Sequence, residues 1–476
     1  MRSECIAALV VSVATGCAAS APPPESSHAS RRPTHRASIP EAPTPPPKPT
    51  ERLTLVGADG YEQHDATWSR PVAPSMRQEA AALAVDARGG VVIAGASWPR
   101  GATAATKADV FVTKFDSGGL DLWRKRVGDA EHQTARGAAV DAKGHVVVAG
   151  VFHGTIDFGG AKLTSAGDSD IFVAKLDTSG KHLWSKRFGG KGKDDVAGVA
   201  IDAAGDVWFA GATSKALDFG DKKPQQGGGA FVAKLDALGK KLEGRSLTAT
   251  PTAMALDAKS VAFAGVSADG ARFVTKIDHA RADQMTAQLR AMPGVGGESE
   301  LDVRGIAIDS AGAVVVVGDF LGEIAMGDTK LRYAQFDATN GDAGSGKHDA
   351  FVLKIDAAGR PAWAMRYGAF GDDRATGVSI DNLDNVLVTG AFEKTVDFGG
   401  GPMRATGSAQ LFVLKLDAAG HVVWSTTYDA GGASARVAND ASGNSFLVGE
   451  LRATTDFGGG PVIGVAQEMF LAKLPP

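Results

Sequence analysis

Short apolar runs alternate with polar turn residues from residue 61 to residue 476. One stretch shows the pattern clearly, with apolar runs at 137–140, 146–149 and 171–174 that are separated by polar or glycine-containing segments. Runs of this length, rich in valine and bounded by turn residues, are typical of β-strands. Val314–Val317 lacks polar alternation, as expected for a strand covered on both faces. The pattern predicts an all-β fold of many short strands.

One motif, Phe-Val/Leu-x-Lys, recurs seven times along this part of the chain. Its lysines are 42 to 78 residues apart, and repetition on this scale indicates a solenoid or a propeller. Each unit holds four strand-like runs, which is the content of a propeller blade. The sequence therefore predicts a single seven-bladed β-propeller over residues 61–476. The motif begins at Phe111, Phe172, Phe231, Phe273, Phe351, Phe412 and Phe470.

The last unit ends at Pro476, directly after its third strand, without the tryptophan-bearing fourth strand seen in other units. The segment Thr67-Trp68-Ser69-Arg70 precedes the first unit and matches that fourth strand. We therefore expect the N-terminal strand to complete the last blade. Closure of this kind removes the exposed edges that an open stack of sheets would leave.

Two tight connections in most units are Asp-x-x-Gly, as at Asp86–Gly89 and Asp356–Gly359. Aspartate accepts hydrogen bonds within such a turn and glycine adopts the left-handed conformation that closes the hairpin. The triplet Asp-Phe-Gly also recurs, at Asp157 among other positions, which indicates a repeated turn and not a single catalytic element. These aspartates are predicted to be structural.

The repeats contain Asp-Phe-Gly-Gly, Asp-x-Phe-Val-x-Lys-Leu-Asp and a late tryptophan. In these motifs the chain resembles the bacterial SBBP family of seven-bladed β-propeller repeats, over about residues 61–476. The resemblance implies the fold and an envelope setting, and it implies no enzymatic activity. The fourth unit departs most, because Asp257-Ala-Lys-Ser260 and Asp278-His-Ala-Arg281 lack the turn glycine.

The N-terminal segment predicts export. Its apolar run, Cys5 to Ala14, is shorter than the roughly 20 residues that cross a bilayer as a helix, and Ala14-Thr15-Gly16-Cys17 resembles a bacterial lipobox. We expect residues 1–16 to be a lipoprotein-type signal peptide and Cys17 to carry the lipid anchor. Residues 17–52, which hold ten of the 21 prolines, would form an extended tether. The predicted location is the bacterial envelope as an outer-membrane lipoprotein, with a secreted or periplasmic protein as the alternative.

Charge and composition exclude several function classes. The net charge is −4 and no basic block is long enough to follow a phosphate backbone, so nucleic acid is not an expected partner. Cys5 and Cys17 are the only cysteines, and no histidine pair has metal-ligand spacing. No Gly-x-Ser-x-Gly elbow supplies a nucleophile. No catalytic residue is therefore predicted.

The loops that lead from one unit to the next carry acidic residues. In a propeller these loops surround one end of the central channel, where carboxylates would offer the hard oxygen ligands that calcium prefers. A solvated acidic rim without metal is the alternative, and no other cofactor is expected. The candidate rim comprises Glu131, Asp194, Asp195, Glu298, Glu300, Asp372 and Asp373.

These features favour a non-catalytic binding or scaffolding propeller at the cell envelope. It would be a monomer, held at the membrane through its lipid anchor only, that binds a protein, glycan or small ligand on its loop-rich face. Variable loops on a rigid scaffold are where binding usually occurs. Two alternatives stay open: a propeller hydrolase or lyase that uses the acidic rim, and an outer-membrane protein assembly factor.

Overall fold

In a computed structural model, the described residues are 67–72, 76–102, 106–215, 228–279, 284–293, 299–332, 347–369, 371–451, 454–463 and 468–476. All regular secondary structure in these ranges is β-strand. The expected signal peptide, Cys17 and the tether lie outside the described residues. No described helix is long and apolar enough to span a membrane.

Seven antiparallel sheets, six with four strands and one with six, form the blades of a β-propeller. The chain begins with β1 (Trp68–Val72). Blade 1 is β2 (Met76–Val85), β3 (Val91–Pro99), β4 (Asp109–Phe115) and β5 (Asp121–Val127). Blade 2 is β6 (Gln133–Val140), β7 (Val146–Phe152), the small hairpin β8 (Thr155–Ile156) and β9 (Leu163–Thr164), β10 (Asp170–Leu176) and β11 (His182–Phe188). Blade 3 is β12 (Asp194–Ile201), β13 (Val207–Thr213), β14 (Gly229–Leu235) and β15 (Lys241–Leu247).

The second half of the ring continues the pattern. Blade 4 is β16 (Thr250–Leu256), β17 (Ser260–Val266), β18 (Arg272–Asp278) and β19 (Gln284–Met292). Blade 5 is β20 (Glu300–Ile308), β21 (Val314–Leu321), the hairpin β22 (Glu323–Met326) and β23 (Thr329–Arg332), β24 (Asp349–Ile355) and β25 (Pro361–Tyr367). Blade 6 is β26 (Arg374–Ile380), β27 (Val386–Phe392), β28 (Thr395–Asp397), β29 (Pro402–Arg404), β30 (Gln410–Leu416) and β31 (Val422–Tyr428). Blade 7 contains β32 (Gly431–Asn439), β33 (Ser445–Leu451), β34 (Thr455–Asp456), β35 (Pro461–Val462) and β36 (Glu468–Leu474).

The first strand of each blade lies at the axis. These inner strands, β2, β6, β12, β16, β20, β26 and β32, each contact the inner strands of both neighbouring blades. Buried valine, alanine and phenylalanine side chains of adjacent blades share common core clusters; Val147 and Val199 belong to one, and Val317 and Val388 to another. The seven-bladed all-β fold predicted from the repeats is therefore confirmed.

The two ends of the described chain meet in one sheet. Strand β1 pairs antiparallel with β36, with Trp68 opposite Lys473 and Val72 opposite Met469. The sheet order of blade 7 is thus β1, β36, β33, β32. The ring of Trp68 packs against Gly119 of blade 1, so β1 contributes to the contact between the last blade and the first.

Tryptophans of the outer strands join several blades to the blade that follows. The indole N–H of Trp123 in blade 1 donates to the carbonyl oxygen of Thr178 in blade 2, at 2.9 Å. Trp184 donates in the same way to Ala237 of blade 3, at 3.0 Å. A glycine of the receiving turn lies under the ring, as Gly180 does under Trp123 with a φ of +79°. The glycine is needed there because a Cβ atom would lie 2.8 Å from the indole.

The described Asp-Phe-Gly triplets form turns within the small hairpins of blades 2, 6 and 7. The carboxylate of Asp157 accepts a hydrogen bond from the backbone N–H of Gly159 at 2.7 Å, and Asp397 bonds to Gly399 in the same way. The phenylalanine of the triplet is buried, and Phe398 packs between Tyr367 of blade 5 and Phe412 of blade 6. The predicted structural role of this triplet is thus visible in its contacts.

Blade 4, the most divergent in sequence, is widened by a neighbour. The β22–β23 hairpin of blade 5 pairs antiparallel with β19, with Ala291 opposite Ile324 and Met292 opposite Glu323. The result is a six-stranded sheet that includes strands of two blades. Met285 takes the place of the docking tryptophan and lies against Gly359 of blade 5.

Candidate binding site at the propeller axis

A cavity of about 520 Å³ lies at the propeller axis, lined by inner-strand residues from all seven blades. In six blades the inner strand has a one-residue β-bulge where it lines this cavity, as in blade 2, where the register shifts between Ala135 and Gly137. In blade 7 the register of β32 shifts between Gly431 and Arg436. A bulge leaves one residue without a partner and bends the strand. The unpaired residue is Arg136 in blade 2 and Arg304 in blade 5. The bulges therefore direct two guanidinium side chains toward the axis.

The residue that resumes pairing after the bulge is small in six blades. A small residue is needed because the inner strands approach closely: a Cβ atom on Gly137 would lie 2.8 Å from the backbone nitrogen of Val199. Blade 7 breaks this rule with an arginine, which pairs with Val448. The seven residues are Ala82, Gly137, Gly198, Ala253, Gly305, Gly377 and Arg436.

Within the described ranges, Arg436 donates hydrogen bonds to backbone carbonyls alone. Its Nε donates to Ala81 of blade 1 at 3.3 Å, and its Nη1 donates to Ala435 at 3.0 Å and to Thr376 of blade 6 at 3.4 Å. No described carboxylate forms an ion pair with it, and no described residue accepts a hydrogen bond from its Nη2, which keeps some exposure to the cavity. Burial lowers the pKa of Arg436, while Glu79 acts in the opposite direction. Arg436 thus presents unpaired N–H groups to the cavity.

The other two channel arginines have carboxylate partners. Arg304 contacts Asp319, and its Nη2 lies 3.3 Å from Asp302. Arg136 lies 3.6 Å from Asp195, with both side chains about half exposed. Burial opposes the charge of Arg304, but the bond to Asp319 outweighs it and raises the pKa of Arg304. Of the three guanidinium groups at the axis, only that of Arg436 lacks a counterion among the described residues.

A second concave surface, the rim groove, lies between blades 4 and 5. It has a volume of about 640 Å³ and is lined by the start of β18, by the end of β19 and by residues 299–302. Asp302 and Asp319, the partners of Arg304, also line this groove. The ion pairs of Arg304 therefore form the wall between the channel and the rim groove.

His348 joins carboxylates from two connections at the rim groove. Its Nε2 lies 2.9 Å from Glu300 and its Nδ1 lies 3.0 Å from Asp372. Burial alone would lower the pKa of His348, but the hydrogen bonds with Glu300 and Asp372 outweigh it and raise the pKa above its ordinary value. Asp372 also pairs with Arg374 at 2.6 Å. This part of the rim is a mixed network of both charges.

The residues of the predicted acidic rim occupy different environments. Asp195 lines the channel, whereas Glu131 is exposed and away from the cavity lining. Glu300 and Asp372 meet at His348, while Asp194 and Asp373 are buried in the connections between blades. Glu298 lies outside the described residues. Within the described ranges, no group of three or more His, Cys, Asp or Glu residues is placed to hold a metal ion.

Asp194 and Asp373 share a recurrent arrangement with an arginine and a second aspartate. A Cβ atom on Gly368 would lie within 3 Å of both Asp349 and Asp373, and Arg366 binds Asp349 at 2.9 Å. Burial raises the pKa of Asp373 to about 8, although bonds from the backbone N–H groups of Glu393 and Ala369 oppose the shift.

The same arrangement occurs between blades 2 and 3, where Asp170, Asp194 and Arg187 surround Gly189. Burial likewise raises the pKa of Asp194. Both acids of each pair are closed to solvent, and the arrangement recurs in the ring. A buried acid with a raised pKa is a candidate for catalysis. Recurrence and closure from solvent instead favour a structural role for these pairs, which hold the connections between blades.

Sequence reasoning missed the channel arginines, because they are not part of the repeated motif. Aligned repeats carry the signal: the residue five before the turn aspartate of the first hairpin is arginine in blade 2 (Arg136) and blade 5 (Arg304). One position later, Arg436 stands where the other units have glycine or alanine. An arginine that replaces a residue required to be small at a ring axis marks a special position.

Comparison with known proteins gives one sequence relative and several distant structures. No protein-family model matches the chain. The regulatory protein FlaEY of Caulobacter vibrioides is 29% identical over 113 residues, which are 23% of this chain and 12% of that protein. The chain thus matches only a small part of that relative's length.

Among solved structures, BamB from Moraxella catarrhalis is similar over 86% of this chain and 99% of its own, with 13% identity and a TM-score of 0.38. Sqt1 of Saccharomyces cerevisiae covers 87% of this chain and 100% of its own, with 10% identity and a TM-score of 0.42. TolB from Acinetobacter baumannii covers 80% and 79%, with 12% identity and a TM-score of 0.29.

Proposed function

We propose that this protein is a non-catalytic binding scaffold of the bacterial cell envelope, which presents its loop-rich face to a protein partner. In this proposal it belongs with the SBBP-repeat propellers whose motifs it resembles. Cys17 carries a lipid anchor at the outer membrane, and residues 17–52 act as a tether. The propeller then works as a rigid platform and catalyses no reaction.

The observation that carries the proposal is the continuity of the two concave surfaces. The axial cavity and the rim groove meet at the ion pairs of Arg304 with Asp302 and Asp319. Together they offer an extended, polar and partly apolar surface on the side where the connections between blades lie. A protein segment is the ligand that suits such a surface, because it can follow the groove and insert a side chain into the channel.

The opposite face offers much less. Its tight turns use their own polar groups, as in blade 5, where the carboxylate of Asp356 accepts hydrogen bonds from the backbone N–H groups of Ala358 and Arg360, each at 2.9 Å. Asp417 of blade 6 does the same with Ala419 and His421. A face whose acceptors are already occupied has few groups left to recognise a partner.

Photo-cross-linking in living cells tests which face binds. A photoreactive residue is placed at Glu131 or Glu300 on the loop-rich face, and at Lys143 or Ala358 on the turn face of the same two blades; all four are exposed. We expect a protein adduct of one size from the first pair and none from the second. Equal labelling from both faces, or no adduct from either, would contradict the proposal.

Membrane fractionation tests the anchor separately. The native protein should sediment with membranes, and Cys17→Ala should be soluble. Protease added to intact cells then shows whether the propeller lies on the cell surface or in the periplasm. If both forms are soluble, the lipid anchor is excluded, and the protein would be freely secreted or periplasmic.

A further inference from the structure

The arginines at the axis point to a specific class of ligand. Six blades place glycine or alanine where the inner strands approach most closely, and blade 7 alone places Arg436 there. A guanidinium group without a counterion in a largely enclosed site loses hydration that only a partner anion can replace. A small residue at this position would avoid that loss of hydration. The presence of arginine therefore indicates a specific role.

Part of that reason is structural. Arg436 donates hydrogen bonds to carbonyls of blades 6, 7 and 1, and thereby joins three blades at the axis. Those bonds use Nε and Nη1 and leave Nη2 free at the cavity. Backbone carbonyls also carry no formal charge, so they leave the charge of the guanidinium uncompensated.

The charges around the cavity indicate a monovalent anion. Arg304 is neutralised by Asp302 and Asp319, and Arg136 by Asp195. Among the described residues that line the cavity, Arg436 is the one cation that remains without a counterion, although Glu79 acts to raise its pKa. One guanidinium without a counterion matches one carboxylate, which can accept a charge-assisted hydrogen bond from the free Nη2. A dianionic phosphate would bring more negative charge than the free arginine balances.

We infer that the axial cavity binds a carboxylate, held by Arg436. The cavity, about 520 Å³, is within the range of ligand pockets and larger than a single carboxylate group needs. The ligand is therefore either an acidic side chain of a protein segment that enters from the rim groove, or a small free carboxylic acid. This inference rests on the proposed binding function and names the chemistry at its centre.

Calorimetric titration of the mature chain tests the inference with defined probes. The probes are sodium butyrate, a short peptide with blocked ends and a single glutamate, its glutamine counterpart, and inorganic phosphate at matched ionic strength. Binding of butyrate alone identifies a small carboxylic acid, and binding of the glutamate peptide but not the glutamine peptide identifies a protein segment. No binding of either carboxylate, or tighter binding of phosphate, would overturn the inference.

Variants show whether the cavity is the site. Arg436→Met should weaken carboxylate binding at least tenfold. The matched control is Arg126→Met, on the outer strand β5 of blade 1, where Arg126 pairs with Asp109 at 2.5 Å; its affinity should be unchanged. Equal affinity in the wild type and Arg436→Met would overturn the inference.

Arg436→Met also removes bonds between blades, so a second variant separates folding from binding. Ala81 lines the cavity and its carbonyl accepts a bond from Arg436, so Ala81→Asp places a carboxylate next to the guanidinium. This variant should keep all native hydrogen bonds, melt no earlier than the wild type and lose carboxylate binding at least tenfold. Retained binding in Ala81→Asp would contradict the inference. The cross-linking experiment above can succeed while these titrations fail, which would leave the platform function intact and remove only the carboxylate site.

Discussion

The ammonium group of Lys354 lies 2.8 Å from the carboxylate of Asp309 and 3.1 Å from the carbonyl oxygen of Ala418 in the next blade. Both side chains are almost closed to solvent. Blades 2 and 6 repeat the ion pair with Lys175 and Lys415, each 3.1 Å from the aspartate of the first hairpin. The lysine of the sevenfold motif is therefore an internal connector between strands and blades.

Removal of one partner should be costly. Lys354→Met leaves the Asp309 carboxylate buried without its cation, and we expect a loss of about 3–5 kcal/mol in the free energy of unfolding, measured by urea denaturation. Arg360→Met, which breaks the exposed pair with Asp356, is the control and should cost less than about 1 kcal/mol. Similar losses in the two variants would show that the buried pair stabilises the fold no more than the exposed pair does.

Contact between the last blade and the first should depend on Gly119. Its φ of +83° is left-handed, and a Cβ atom would lie 2.9 Å from the ring of Trp68. Gly101 has a similar φ of +78° with no atom near its Cβ position. Gly101→Ala should cost about 1–2 kcal/mol from backbone strain alone. Gly119→Ala should lower the melting temperature further, and an equal shift would mean that the Trp68 contact adds nothing.

Deletion of residues 61–73 should lower the melting temperature sharply. The deletion removes β1 and leaves the outer edge of β36 with unpaired backbone groups. An exposed edge of this kind also pairs with other chains, so we expect oligomers by light scattering. An unchanged melting curve would show that the ring is stable without this strand.

The stability of the protein should fall as the pH rises through the titration of Asp373. Its pKa is about 8 in the folded state and near 4 in the unfolded chain, so the folded state binds the proton more tightly between these values. The contribution of this group is therefore largest at low pH and is lost as the pH approaches 8. Asp373→Asn cannot lose a proton, so the variant should gain on the wild type between pH 5 and pH 8, as measured by denaturation. A constant difference would contradict the raised pKa.

The contacts of His348 should also weaken as the pH rises, in this case because a cation loses its charge. Its raised pKa means that the folded state favours the imidazolium ion, held between Glu300 and Asp372. The stabilisation is fully present below the ordinary pKa of about 6.5 and is lost as the pH rises through the folded value. His348→Gln should therefore differ most from the wild type near pH 6 and least near pH 9. The double variant Asp373→Asn, His348→Gln separates the pH dependence due to His348 from that due to Asp373.

The sequence was sufficient to predict the fold, because its signals recur around the ring. The motif lysine and the turn aspartates recur in every blade and the outer-strand tryptophan in five of the seven, and each makes the same contact in several blades. The wide sheet of blade 4 was not predictable in this way. Its hairpin, β22–β23, belongs by sequence to blade 5 and by pairing to blade 4, and a repeat alignment assigns strands only to the unit that contains them.

The candidate site was harder to predict for a related reason. Acidic residues in the connections predicted a metal site, because carboxylates are common metal ligands. In the structure, Asp194 and Asp373 instead accept hydrogen bonds from backbone N–H groups within buried connections. The cavity is instead marked by Arg436, a single departure from a small-residue position. A site of this kind departs from the repeat, so a prediction based on the residues that the blades share does not detect it.

The hydrogen bonds between β19 and β22 identify a connection where circular permutation should be tolerated. In a ring of blades, a circular permutant normally loses the covalent link between two neighbours and must rely on a closing strand to hold them together. Between Met292 and Glu300 that loss is already compensated, since blade 5 returns a hairpin to the edge of blade 4. New chain ends opened at this connection would leave the two flanking blades joined by backbone hydrogen bonds, which makes it the natural place to insert a reporter domain without opening the ring.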